Sequence, residues 1–296
     1  MSQNSRPARG KRQAFGGEPL DPLSRRLLRT AGGLAVLLLL VLVNSAVNGS
    51  GDQLDLNPVA AAAERTEDAS GARFSLYIVY SSPALPQSIT AVGSGAYNAE
   101  TDRSRATFEL NGPAGSVQMV EIDAGEFEYK GGDLVERELP PGKEWVRIEE
   151  GAPEEGEAPL EIEDTLHMLT TTGEIQMVGR EPVNGTMTRR YRSEIPLTEL
   201  VDFLREKGRD EAADSYESIR SQVPAEISVE SWVDRKGLLR RLRMAMPMPG
   251  ESGEPFTVDM RMDIFDYGAQ PDIRLPDPDR VVDGPLDEGP TAASIS

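Results

Sequence analysis

The stretches ISVESWVDRKGLLRRLRMAMPM (residues 227–248) and EPFTVDMRMDIF (254–265) decide how this chain folds. In the first, two apolar-rich runs are joined by Asp234-Arg235-Lys236-Gly237, a short polar link ending in glycine. Such a link predicts a hairpin, because Gly237 can adopt the positive φ that closes a bulged turn. In the second, Val258, Met260, Met262 and Ile264 alternate with Thr257, Asp259, Arg261 and Asp263. A period of two gives a strand with one apolar and one wet face. On the hairpin's second strand Leu238, Leu242, Met244, Met246 and Met248 share one parity, and Arg240 interrupts the set. Three consecutive strands therefore build one sheet with a Met-rich inner face.

Outward from that sheet, composition bounds the rest. At 296 residues the chain holds one large domain or two small ones, and with aromatics at 5% its core relies on aliphatics and Met. Net charge is −19 but uneven: residues 1–30 carry seven Lys/Arg against two acids, and the remainder 24 against 48. An acidic body repels phosphates, so no nucleic acid partner is expected. The absence of Cys excludes disulfides, thiol catalysis, cysteine zinc sites and a lipid-modified N-terminal Cys.

Residues 1–30 read as a disordered basic cytoplasmic tail. AGGLAVLLLLVLVNSAV (31–47) follows, with Arg25, Arg26 and Arg29 against its start. At about 1.5 Å per residue it reaches roughly 25 Å, just short of a hydrocarbon core. The positive flank predicts a transmembrane signal-anchor with the C-terminal part outside the cytoplasm. A cleaved signal peptide is the rival reading, against which stand a poor cleavage window and the long preceding tail. Residues 48–70 form a tether, with a short helix at 58–67.

From Arg73 the pattern becomes strands. Phe74, Leu76, Ile78 and Tyr80 share one face, and 89–97 follows with a bend or bulge expected at Gly93 and Gly95. In 103–110, Ala106, Phe108 and Leu110 lie together, and 117–122, 126–130 and 143–148 continue the series. Turns are expected at 123–125, at Gly131-Gly132 and at 140–142. Strands at roughly ten-residue spacing with Gly turns predict an antiparallel meander. The Glu/Pro/Gly run 149–161 reads as a solvated loop. A helix is expected next, with Asp164 as N-cap, Ile162, Leu166 and Leu169 on one face, and Gly173 at its end. Strands 174–181 and 186–194 join through Asn184-Gly185. Pro196 opens a helix carrying Leu197, Leu200, Val201 and Leu204, and a second short helix falls within 210–222. Residues 284–296 form a disordered tail.

Catalytic constellations are thin. The single histidine, His167, sits between Leu166 and Met168, and no H-E-x-x-H, G-x-S-x-G or phosphate loop is present. No enzyme, cofactor or metal site is expected. Asp259 and Asp263 read as a wet strand face rather than an acid/base pair. Arg189, Arg190 and Arg192, with Arg240, Arg241 and Arg243, form two basic patches. They read as cross-strand ion pairs on the outer sheet face, the sharper alternative being contact with anionic head groups. The Met set admits two readings as well: gap-filling in a core, or an adaptable surface for apolar ligands.

Val178-Gly179-Arg180-Glu181-Pro182-Val183-Asn184-Gly185-Thr186, followed by Arg190-Tyr191-Arg192, resembles a strand pair of the LolA-like envelope proteins, above all the actinobacterial LppX/LprG type. Trp232-Val233-Asp234, Gly237-Leu238, Arg240-Arg241, then Met260, Phe265 and Tyr267-Gly268, are similar to that family's closing strands. The resemblance spans residues 71–283. It implies an α+β domain: a strongly curved antiparallel β half-barrel, of about ten or eleven strands, covered by short α-helices and enclosing an apolar cavity for acyl chains. The family carries lipids and lipoproteins and does not catalyse reactions. Its members are lipoproteins with an acylated Cys, whereas this chain has none, so the transmembrane helix takes over as the anchor.

Together these readings predict a single-pass cell-membrane protein whose extracytoplasmic domain binds lipid acyl chains or a lipidated protein. The cavity-lining candidates are Leu76, Ile78, Phe108, Leu166, Leu169, Met244, Met246, Val258, Met260, Met262 and Ile264. The alternative is an envelope sensor or scaffold whose half-barrel binds a protein partner and signals through the N-terminal tail.

Overall fold

The hairpin forms as its turn chemistry dictates. In the computed structural model, which describes residues 58–67, 69–83, 87–112, 115–149, 175–206, 208, 210–249 and 255–284, Gly237 takes φ +80°. Asp234 organises the turn: its Oδ1 accepts from the backbone N–H of Lys236 and Leu238, and its own N–H donates to the Leu238 carbonyl. Strands β9 (Glu226–Asp234) and β10 (Leu239–Met248) leave this turn, and β11 (Phe256–Phe265) pairs antiparallel with β10. A β-bulge between Leu239 and Arg241 resets the parity. Leu239, rather than Leu238, is therefore buried with Leu242, and Arg240 is released to the opposite side. The bulge removes the interruption that a regular strand would have had.

The other strands extend this core. On one side lie β1 (Gly71–Ser81), β2 (Ile89–Asn98), β3 (Arg103–Gly112), β4 (Gly115–Asp123), β5 (Phe127–Gly132) and β6 (Trp145–Glu149). On the other lie β7 (Gln176–Val183) and β8 (Thr186–Pro196), joined by Asn184 and Gly185, both with positive φ, in the two-residue turn their sequence favours. Short β12 (Val281–Asp283) pairs parallel with β6, the one parallel pairing where an antiparallel sheet was expected. The result is one open, curved sheet of twelve strands in the order β12-β6-β5-β4-β3-β2-β1-β11-β10-β9-β8-β7.

Gly93 and Gly95 produce no bulge, because β2 pairs in unbroken register with both neighbours. Their role is steric. A Cβ on Gly93 would lie 2.4 Å from the Phe108 ring, and one on Gly95 would lie 2.2 Å from the Phe74 ring. Each aromatic ring thus lies over a glycine on the adjacent strand. Gly131 is likewise strand rather than turn, and it accommodates the Trp145 ring.

Among the described residues three ten-residue helices accompany the sheet: α1 (Pro58–Glu67), α3 (Leu197–Glu206) and α4 (Asp210–Ile219), with a single turn, α2 (Asp133–Glu136), after β5. Pro196 is the last residue of β8, so α3 begins one position later than its sequence suggests. The helix predicted around 162–173, with Leu166, His167 and Leu169, and the apolar run 31–47 lie outside the described residues. Among the described residues no helix is long and apolar enough to cross a membrane.

Candidate functional site

The inner face of the sheet is a continuous apolar surface. Strand registers align its residues in rows: Ile78 faces Met260, Met260 faces Met244, and Met244 faces Val229. One step along, Leu242, Met262, Leu76, Gly93, Phe108 and Met119 form a row across six strands. The alternation seen in the sequence decides this, since same-parity residues of paired strands share a face.

All nine described candidates lie in this one cluster: Leu76, Ile78, Phe108, Met244, Met246, Val258, Met260, Met262 and Ile264, each at most 3% exposed. Leu197, Leu200, Val201 and Leu204 of α3 and Ala213, Tyr216 and Ile219 of α4 belong to the same cluster, as do Val59 and Ala62 of α1. The Tyr216 hydroxyl is 3.1 Å from the Met248 sulfur and 3.9 Å from that of Met246, so α4 sits directly on the methionines. The face is closed in this structure. α1 is tied to the sheet by polar contacts: Thr66 Oγ1 accepts from the Leu239 N–H, while the Tyr97 hydroxyl donates to Thr66 O.

The outer face differs in kind. The Arg patches of the sequence form the expected cross-strand ion pairs there. Arg241 grips Asp263 with both Nε and Nη2, at 2.5 and 2.6 Å. Glu230 accepts from Arg190 at 2.5 Å and from Arg192 at 2.8 Å, Arg243 reaches Asp259 at 2.8 Å, and Arg240 reaches Asp234 at 2.7 Å. Arg189 is exposed. Burial pushes the Glu230 carboxyl up, but hydrogen bonds from Arg192 and Arg190 outweigh it and leave the group below its ordinary value. Burial likewise raises Asp234, and the Leu238 amide, Arg240 and the Lys236 amide together bring it below its own. Arg190 and Arg241 lie on the face opposite the methionines, which removes them from head-group contact at an inner-cavity mouth.

Trp232, which the sequence offered only as part of the family resemblance and not as a site residue, is the hub of this outer surface. Only 4% exposed, it lies beneath the guanidinium groups of Arg190 and Arg241, 5.2 and 5.6 Å from its ring, and donates its Nε1–H to Glu181. The available signal is parity: Trp232 shares its face with Ser228 and Glu230, not with Val229 and Val233. Together with Tyr77, Arg243 and Arg261 these side chains border a groove of about 350 Å³ on the outer face. Among the described residues no group of three His, Asp or Glu side chains is placed to hold a metal ion.

The chain matches no protein-family profile and no curated protein sequence. Among solved structures it is similar to LprF from Mycobacterium bovis, at 12% identity and TM-score 0.41, covering 78% of this chain and 99% of that one. It is also similar to MucB of the Pseudomonas aeruginosa MucA/MucB complex, at 14% identity and TM-score 0.33, covering 75% of this chain and 59% of that one. The type expected from the sequence is present too: this chain resembles the Mycobacterium tuberculosis lipoprotein LppX, at 13% identity and TM-score 0.39, over 74% of its own length and 97% of LppX.

Proposed function

We propose that this protein is anchored in the cell membrane by residues 31–47, with its N-terminus cytoplasmic, and holds acyl chains of a lipid or lipidated protein outside the cytoplasm. The chains lie between the inner sheet face and its helices. The observation that carries this reading is the methionine seam. Met244, Met246, Met260 and Met262 occupy inner positions of the paired strands β10 and β11, with Met246 against Tyr216 of α4. Flexible thioethers repack around varied apolar shapes with little strain, which rigid branched side chains do not. The family resemblance of residues 178–192 and 232–268 supports the same reading.

Entry of acyl chains would require cover such as α3 and α4 to lift from this face. Leu197, Leu200, Val201, Leu204 and Ile219 would come off the sheet in that movement, and acyl chains would take their place against it. Leu76, Ile78, Phe108 and Ile264 extend the seam on the sheet.

The closed interior also favours a second reading, a scaffold or sensor that binds an envelope protein and signals through the basic tail, with the half-barrel permanently filled. Mass spectrometry of lipid extracted from purified residues 49–296 separates the two. Co-purifying two-chain lipid, lost when Met246 and Met262 are both replaced by Trp in a domain that still folds, supports the carrier. Lipid-free wild-type protein that stays lipid-free after incubation with vesicles supports the scaffold.

A further inference from the structure

The outer face carries a row of side chains that its own ion-pair ladder does not complete. Across paired strands the register runs Arg192, Glu230, Arg243, Arg261, Tyr77 and Val92. Within it Arg243 and Arg261 stand directly opposite each other on β10 and β11, where like charges destabilise a sheet. Arg243 turns aside to Asp259. Arg261 has no equivalent: among the described residues its one carboxylate is Asp263, 4.0 Å away and already held by both nitrogens of Arg241. The Arg261 side chain remains half exposed, with its guanidinium 5.9 Å from the centre of the Tyr77 ring. A guanidinium presents five N–H donors in a fixed fork, so most of those on Arg261 face outward unused.

Next to this cationic pair the row turns apolar. Tyr77 is 40% and Val92 49% exposed, side by side on the paired strands β1 and β2. A ligand that satisfies the row must therefore be anionic at one end and flat and apolar at the other. The groove's volume of about 350 Å³ lies at the small end for ligand sites, the size of a single ring with one charged substituent.

We propose that this outer groove binds a small soluble amphipathic anion, a carboxylate or phosphate on an aromatic or aliphatic body. The anion sits between Arg243 and Arg261 and the body lies across Tyr77, beyond which Val92 continues the exposed row outside the groove's lining. This goes beyond the acyl-chain reading and does not depend on it, because the two sites occupy opposite faces. An anionic membrane surface fits the same arginines less well. Glu181, Glu230 and Asp259 line the groove and the chain carries a net charge of −19, so an extended negative plane is repelled where one small anion is not.

Phenyl phosphate is the probe, titrated into the full chain by saturation-transfer NMR and, in a Trp145→Phe background, by fluorescence of the buried Trp232, with phenol and inorganic phosphate alongside. Phenyl phosphate is expected to bind more tightly than either fragment. Arg261→Ala and Arg243→Ala each weaken it about tenfold, the loss expected for a charge-assisted hydrogen-bonding partner. Tyr77→Ser weakens it less and spares inorganic phosphate. Arg274→Ala, which removes an exposed pair with Asp272 elsewhere, changes nothing. A stability readout runs in parallel: phenyl phosphate raises the melting temperature of the wild type and not of Arg261→Ala, which itself melts no lower than the wild type. No response of the folded wild type to phenyl phosphate, or an unchanged affinity in both arginine variants, overturns the assignment. So does sedimentation with phosphatidylglycerol vesicles that both variants abolish while phenyl phosphate is ignored, since that outcome makes the face a membrane contact.

Discussion

The two faces of the central sheet are made by the same strands in the same registers, yet they solve opposite problems. On the inner face Met260 meets Ile78 and Met244, and any neighbour of similar volume would serve. On the outer face Asp263 meets Arg241 through two specific hydrogen bonds, and no other neighbour would. The inner face is held by area, which is tolerant of shape and lends itself to exchange. The outer face is held by geometry, which is intolerant of change and fixes the strands in place. A sheet whose one side must loosen to admit a guest benefits from a reverse side that does not.

The comparison breaks most readily at Met260, 1% exposed at the centre of the inner face. Met260→Asp should cost on the order of 4 kcal/mol or more, because the new carboxylate has no partner there. Denaturant melts measure this, and unchanged stability would refute the face assignment. On the outer face Arg241→Ala should cost about 3 kcal/mol, much of it from stranding the Asp263 carboxylate, which is 7% exposed. Replacing the pair together, as Arg241→Met with Asp263→Leu, should recover most of that loss in the same melts.

Gly93→Ala comes next, at about 2 kcal/mol, since its Cβ drives into the Phe108 ring. Adding Phe108→Ala should then cost less than the sum of the two single changes, a coupling read directly from a double-mutant cycle. The smallest effect is acid-dependent. Glu230 and Asp234 both titrate below their ordinary values in the folded protein, so the unfolded chain takes up protons first as pH drops. Their stabilisation is complete above the ordinary carboxylate range and fades as pH falls below about 4.5. Glu230→Gln should flatten that acid limb while leaving the neutral-pH slope alone; an unchanged limb would show that Glu230 is not coupled to Arg190 and Arg192.

Alternation made much of this legible. Val258, Met260, Met262 and Ile264 declare their face because a strand's period is two, and the structure places them together. The Asn184-Gly185 and Gly237 turns were equally readable, since positive φ narrows the residue choice. The bulge at Leu239 was not, because two leucines in a row leave the register open until β9 is seen beside it. Gly93 and Gly95 misled for a related reason. A glycine that yields room to a ring on the next strand looks, in sequence, like one that bends its own. The Arg243–Arg261 opposition was out of reach as well, for it exists only once β10 and β11 are aligned.

Strand order has a consequence for how the chain reaches this state. Strands β1 to β6 pair in succession, as do β7 to β11, so each half assembles from neighbouring sequence. The halves meet where β1 joins β11, with Phe74 opposite Ile264 some 190 positions away. Closing so long a loop carries a large entropic cost before any contact rewards it, and such topologies fold slowly. Until the seam closes, both halves display unpaired edges beside their apolar rows. At high concentration the first half of one molecule can then zip onto the second half of another, yielding a strand-exchanged dimer whose refolding slows as protein is added.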